Sequence, residues 1–283
     1  MLAVTLMWSI AGVVTRHLEQ ARSFEVTFWR SFFTALSLLL LLPMIQGKAV
    51  LGQMRHGGSA LLISGLLWAG MFTFFMLALT LTTVANVLVA SSLTPLLTAL
   101  AARILIGHRI PLRTWLAIVV AGFGIAYMFG NQLGQGISLL GAFAALAVPV
   151  GGAANWTLNQ HAQAHGKNVD LIPAVLIGGV VSSLVTLPLA WPLQASNHDL
   201  LLLAGLGLVQ LAIPCSLAIV CARVLKAPEM ALLGMLEVIF GILLAWLGAG
   251  ETPGPEVAFG GALVIGALLV NELVGWRARA SLA

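Results

Sequence analysis

Apolar stretches of helical length recur from one end of this chain to the other, and that recurrence constrains the fold more than any single motif. A helix needs ~20 apolar residues to cross the ~30 Å hydrocarbon core of a bilayer. Only α-helices and closed barrels can satisfy every backbone group there. No stretch keeps the two-residue alternation of a barrel strand. With 60% of residues hydrophobic and 8% charged, against about 25% charged in soluble domains, the chain reads as an all-α integral membrane protein. Its 30 glycines suit helices that approach closely through small side chains.

Polar punctuation between the apolar runs predicts ten transmembrane helices. The first five cover residues 2–18, 24–45, 58–80, 84–106 and 112–130. The second five cover 137–160, 171–192, 200–224, 228–251 and 256–275. A Gly- and Asn-rich loop around 131–136 divides the chain into units 1–133 and 134–283. The beginning has neither a basic n-region nor a small-residue cleavage site, so it reads as a first spanning helix and not as a signal peptide.

Charge tests the count. With a cytoplasmic N-terminus, Lys48, Arg55, Arg103, Arg109, Arg113, Lys167, Arg223, Lys226, Arg277 and Arg279 fall inside. Only Arg16 and Arg22 fall outside, and Arg30 lies within the second helix. That asymmetry is what the positive-inside rule requires, and it places both termini in the cytoplasm. Five crossings are odd, so the second unit starts from the opposite face. The two units are then inverted repeats, an arrangement of secondary transporters whose substrate site lies near the midplane.

The run at 228–251 concentrates the argument. Counted at ~1.5 Å per residue, Glu237 lies roughly 13 Å into it, about half of the hydrocarbon core. A carboxylate at that depth must face other helices or a wet cavity. Shifted back 143 positions, the run overlaps the stretch 91–111, with its residues 234–251 on 91–108. Leu93 then matches Leu236, Leu100 matches Leu243, Ala102 matches Ala245 and Gly107 matches Gly250, with Thr94 opposite Glu237.

Four stretches carry a family resemblance: LMWSIAGVVTRHL (6–18), FEVTFWRSFFTALSLLLLLP (24–43), ANVLVASSLTPLLTALAARILIGHRI (85–110) and GMLEVIFGILLAWLGAGE (234–251). Together they resemble the EamA-type ten-helix exporters of the drug/metabolite transporter superfamily. That family typically carries Thr-Pro in its fourth helix, here Thr94 and Pro95, and Glu-Pro in its ninth. Here Glu237 is followed by Val238, so the second proline is missing. The resemblance implies export of small metabolites across a bacterial inner membrane. It implies amino acids as the commonest cargo and an aromatic amino-acid exporter as the nearest match. Export of drugs or other metabolites is the alternative.

Several residues are candidates for the site. Glu237 and Arg30 are the clear intramembrane charges, and they either form a structural pair or meet the charged ends of a substrate. Trp68, Phe72 and Phe75 form a stripe that serves either core packing or a pocket wall. Trp8, Trp68 and Trp156 lie deeper than the other tryptophans, where an indole N–H needs a partner. Asn86, Ser91, Ser92 and Thr94 give the fourth helix a polar face, and Asn155 and Asn159 do so for the sixth. Such residues either bond helices together or line a cavity. Pro95 and Pro149 are candidate gating bends.

Other chemistries find less support. His161 and His165 share a helical face but have no third ligand nearby, so no metal site is expected. Cys215 and Cys221 are too far apart along one helix for a disulfide within it. No GxxxxGK[ST] loop is present, which argues against ATP hydrolysis. No cofactor and no nucleic-acid partner are expected. An embedded enzyme would need clustered acids, bases or ligands, and a scaffold reading has nothing specific behind it. The expected partners are a small-molecule substrate and the bilayer, with a monomer admitted.

Overall fold

A computed structural model describes residues 1–47, 50, 52, 54, 57–106, 111–133, 138–164, 170–225, 230 and 233–280. Lys48, Arg55, Arg109, His165, Lys167 and Lys226 lie outside the described residues. Among those described, every regular element is a helix. In chain order they are α1 (Leu2–Thr15), α2 (Ser23–Gln46), α3 (Gly58–Leu81), α4 (Val84–Ser91), α5 (Thr94–Ile106) and α6 (Leu112–Leu133). From the second half of the chain come α7 (Leu139–Ala164), α8 (Ile172–Ala190) and α9 (Asn197–Gly205). A π-helical segment (Leu206–Ala212) then runs into α10 (Ile213–Ala222), with α11 (Leu236–Ala249) and α12 (Pro255–Ala280) after it. Seven stretches are long and apolar enough to cross a membrane, and three shorter apolar helices accompany them: Leu2–Thr15, Leu112–Tyr127 and Leu236–Ala249.

The fourth helix, expected as one piece over 84–106, is broken after Ser91. The cause is local. Pro95 has no N–H to give the carbonyl of Ser91, and the Thr94 hydroxyl donates to that carbonyl instead, at 2.6 Å. The ninth helix, expected as one run over 228–251, has its described C-terminal part starting afresh at Leu236. Glu237 is therefore in the first turn of α11 and not in the middle of a continuous helix. A carboxylate gains there from the positive end of the helix dipole. In the eighth helix the widened segment precedes Pro214, whose missing N–H and ring disfavour an ordinary α turn against the carbonyl of Gln210. Pro149, by contrast, lies inside an unbroken α7.

Packing crosses the chain's midpoint. α2 lies along α8, α3 along both α7 and α8, α6 along α12, and α1 along α11. One buried cluster gathers Met76, Leu79, Val87, Leu88 and Val264. A second gathers Leu38, Leu61, Trp68, Phe72, Trp156 and Ile219. Leucines, valines and phenylalanines on the outer faces, such as Leu62, Val119, Phe143 and Leu184, remain exposed, as the lipid-facing side of spanning helices requires.

Candidate functional site

The broken helices meet at a cavity of about 130 Å³. At ~10–15 Å³ per water-sized occupant, it has room for a small metabolite. Trp8 of α1, Arg30 of α2, Trp68, Met71, Phe72 and Phe75 of α3, and Ser91, Ser92 and Thr94 at the α4–α5 break line it from the first half of the chain. Val148, Gly152 and Trp156 of α7, Gln210 and Leu211 of the π segment, Cys215 of α10, and Met230, Gly234, Met235, Glu237 and Val238 line it from the second.

Aromatic rings form the walls. Trp68 meets Trp156 edge-on with centroids 6.0 Å apart and tilts against Phe72 at 5.5 Å. The Trp68 indole N–H is buried without a hydrogen-bond partner, and an indole donor in that position suits a polar occupant. The apolar faces supply buried area, and the rim of hydroxyls at Ser91, Ser92 and Thr94 is mostly self-satisfied. Ser91 donates to the carbonyl of Val87 at 2.8 Å and Ser92 to that of Val89 at 2.6 Å.

Arg30 is fully buried. One Nη donates to Oε1 of Gln210 at 3.0 Å and the other to the carbonyl of Phe72 at 2.9 Å. Its guanidinium carbon lies 6.0 Å from the Phe72 ring centre and 5.8 Å from that of Phe75, within cation–π range. Its Nε has no hydrogen-bond partner. Neutral groups thus hold Arg30 in place, and among the described residues no carboxylate pairs with it. Glu237, on the other side of the chain's midpoint, is half-buried at the cavity edge. The ion pairs among the described residues are Arg16 with Glu251 and Arg223 with Asp170. Arg30 and Glu237 do not pair, which removes the structural-pair reading of these two charges.

Trp8, Arg30, Trp68, Phe72, Phe75, Ser92, Thr94, Trp156 and Glu237 come together around this one space. Asn86, Asn155 and Asn159 do not. The Asn86 amide donates to Thr82 Oγ1 at 2.7 Å. Asn155 Oδ1 accepts from Ser64 Oγ at 2.7 Å, and Asn159 donates to the Asn155 carbonyl at 2.8 Å. These asparagines serve hydrogen bonding within and between helices, and α7 turns Trp156 and Gly152 to the cavity instead. Pro95 sits at the helix break without lining the space, and Pro149 comes directly after the lining Val148. Gln210, Met71 and Cys215 were not anticipated. Gln210 carried a readable signal, a lone amide in the apolar run 200–222. Met71 and Cys215 carried none. No group of three or more His, Cys, Asp or Glu among the described residues is placed to hold a metal ion.

Comparisons agree with this architecture. Curated proteins give no significant match. Among solved structures 21 chains match. One, a crystal structure described only as that of a protein, aligns with a TM-score of 0.65 over 96% of this chain and 95% of its own. At 18% identity that likeness speaks to the fold alone. The sequence profile of the EamA-like transporter family matches residues 1–130 and 139–272. With most of the chain so matched, this multi-pass membrane protein belongs to the EamA-like transporter family, whose members carry small molecules across membranes.

Proposed function

We propose that this transporter exports a small zwitterion with an apolar or aromatic body, an amino acid by chemistry, by alternating access around the cavity between its halves. One observation carries the reading: two opposite charges, Arg30 and Glu237, face a single aromatic-walled cavity without pairing with each other. Intramembrane charges are costly when unsatisfied. A ligand with a carboxylate for Arg30 and an ammonium for Glu237 satisfies both at once. Its side chain then stacks on Trp68, Trp156 and Phe72. Glu237 binds a proton when the cargo has left, because a bare carboxylate in such surroundings is unfavourable.

The packing supports ten crossings in two inverted units, 1–133 and 134–283. The partner pairs map onto one another when each of the first five spans is exchanged for the span five later. α3 against α7 corresponds to α1 against the π segment and α10, and α1 against α11 corresponds to α7 against α4 and α5. The break after Ser91 and Ser92 also recurs 143 positions on, at Met235 before Leu236. Discontinuous helices flanking a midplane site are a recurrent device of secondary transporters. The proposed setting is the bacterial inner membrane with both termini cytoplasmic.

Flux into proteoliposomes containing only this protein tests the cargo. Phenylalanine or leucine should move, whereas the amino-acid amide, which lacks the carboxylate, and the deaminated acid should not. Glu237→Gln should fold and reach the membrane yet lose flux or its pH dependence. A stable Glu237→Gln protein with unchanged flux across pH would remove Glu237 from the mechanism. Transport of uncharged or purely cationic compounds without zwitterion flux would overturn the cargo assignment. Cysteines at Ser196 and Lys167 test the orientation: the first should label from outside intact cells and the second should not.

A further inference from the structure

Three carboxylates outside the cavity have unusually well-defined partners. Asp199, at the start of α9, accepts backbone N–H bonds from Glu19, Gln20 and Ala21 at 2.8, 2.9 and 3.0 Å. It also closes a capping box with Ser196, so the carboxylate is held in one orientation. Glu25, in the first turn of α2 and buried, accepts the N–H groups of Gln194 and Ala195, both at 2.7 Å. Glu251 comes after Gly250, whose left-handed conformation (φ +65°) ends α11 and turns the chain back. One Glu251 oxygen pairs with Arg16 at 2.8 Å and the other accepts the Val84 N–H at 2.6 Å, at the start of α4. Arg16 in turn donates to the carbonyls of Leu79 and Thr82.

All three sets share a span and a place. Each joins a residue of 1–133 to a residue of 134–283. Each lies on the one face that carries the loops at 16–22, 82–84, 191–196 and 250–254. The acceptors are charged, which makes such hydrogen bonds short and strong. The donors are mainly backbone N–H groups, so breaking these contacts requires a whole loop to move and no rotamer change of the donor will do it. The other described ion pair, Arg223 with Asp170 at 2.8 Å, lies within 134–283 and ties no half to the other.

We infer that Glu25, Asp199 and Glu251 are the gating residues of this face, holding it closed in the present conformation and separating when the cavity opens to that side. The inference rests on the alternating-access reading of the proposed function, but not on the identity of the cargo. Separation moves Asp199 away from residues 19–21 and Glu251 away from Arg16 and Val84, while the helices that carry them stay intact. The pieces that part are therefore loop and helix end, the usual sites of hinge motion.

Distances between spin labels test this without measuring transport. Cysteines replace the exposed His17 and His198 on this face in one protein, and Ile104 and Val224 on the opposite face in another. Both carry Cys215→Ser and Cys221→Ser and sit in nanodiscs. The parent should give a predominantly short 17–198 distance. Asp199→Asn and Glu251→Gln should each raise the longer-distance population at least threefold, with the 104–224 distance unchanged or shortened. Arg16→Gln, at a more exposed position, should shift the 17–198 distribution the same way and covers the case in which a carboxylate variant fails to fold. An unchanged 17–198 distribution in a folded variant would overturn the inference. Equal broadening on both faces would also overturn it, since that is general loosening and not a gate.

Discussion

Two glycines separated by one residue should respond in opposite ways to alanine, and the contrast tests how the π segment seats against α2. A Cβ on Gly207 would stand 2.7 Å from Phe33 Cβ, 2.8 Å from the Thr34 nitrogen and 2.9 Å from the Phe33 carbonyl carbon. Two of those three atoms are backbone, so no rotamer change relieves the overlap, and the helices must part by roughly 0.7 Å to bring the 2.7 Å approach to ordinary contact at 3.4 Å. Overpacking of this kind costs typically ~1–3 kcal/mol, and the lack of a movable side chain puts Gly207→Ala at the upper end. At Gly205 nothing lies within 4 Å. Gly205→Ala should therefore show only the helix-propensity gain, about 0.5–1 kcal/mol. At ~2–4 °C per kcal/mol for a large domain, the first variant should melt on the order of 5–10 °C lower in detergent and the second slightly higher. The displacement has a functional reading too. Gln210 is one turn from Gly207 and holds Arg30 at 3.0 Å, so Gly207→Ala should also reduce flux while Gly205→Ala leaves it intact. Equal melting temperatures for the two variants, or a larger loss at Gly205, would refute the close approach of the π segment to α2.

Other substitutions separate structural from functional roles. Ser64→Ala removes the donor to Asn155 Oδ1 and should lower stability by about 1–2 kcal/mol without changing substrate preference, as read by detergent melting and competition flux. Pro95→Ala restores an N–H to the Ser91 carbonyl that Thr94 now occupies. It should leave stability within ~1 kcal/mol, because Pro is tolerated in a first helical turn, and should slow transport if the bend moves in the cycle; unchanged flux would exclude Pro95 as a gating bend. A double-mutant cycle of Arg30→Gln and Glu237→Gln, measured by melting without cargo, should show coupling below ~0.5 kcal/mol, as for residues that share no contact. A buried pair would instead lose several kcal/mol on breaking and recover part of it in the double variant.

Much of the fold was legible because the bilayer leaves few choices. Hydropathy alone located the apolar runs, and the 143-residue echo pointed at the two stretches that turn out to be broken. The depth of Arg30, Glu237, Trp8, Trp68 and Trp156 pointed to the cavity, since a polar or indole group in hydrocarbon must face inward. Which of their two readings the asparagines take was not legible, for a physical reason: an amide that bonds α7 to α3 and one that lines a cavity have the same depth and spacing. Which of them faces the opening depends on the rotation of the helix, and an almost uniformly apolar helix says little about its own rotation. The break before Glu237 was hidden because no proline marks it. Its counterpart could be read from Thr94 and Pro95, but Gly234 and Met235 carry no such signal.

The π segment links the legible part to the illegible one. Pro214 by itself announces only a disturbed helix. In the structure the disturbance is absorbed upstream as a widened turn, with the Ile213 N–H reaching back five residues to the Leu208 carbonyl. That widening rotates α10 relative to the course of an ordinary helix, and it brings two features to α2 together. Gly207 lets the backbones touch, with its carbonyl accepting from the Thr34 hydroxyl at 3.2 Å. Gln210 reaches past that contact to Arg30 and sends its amide to the Trp8 carbonyl at 3.4 Å. An arginine buried, as here, without a counter-ion among the described residues needs neutral acceptors fixed from more than one helix, or its side chain would leave for the membrane edge. The widened turn supplies one of them and the α3 carbonyl at Phe72 the other. Arg30 is thus held still by groups that do not cancel its charge, which is the condition under which an anionic end of a ligand gains from meeting it.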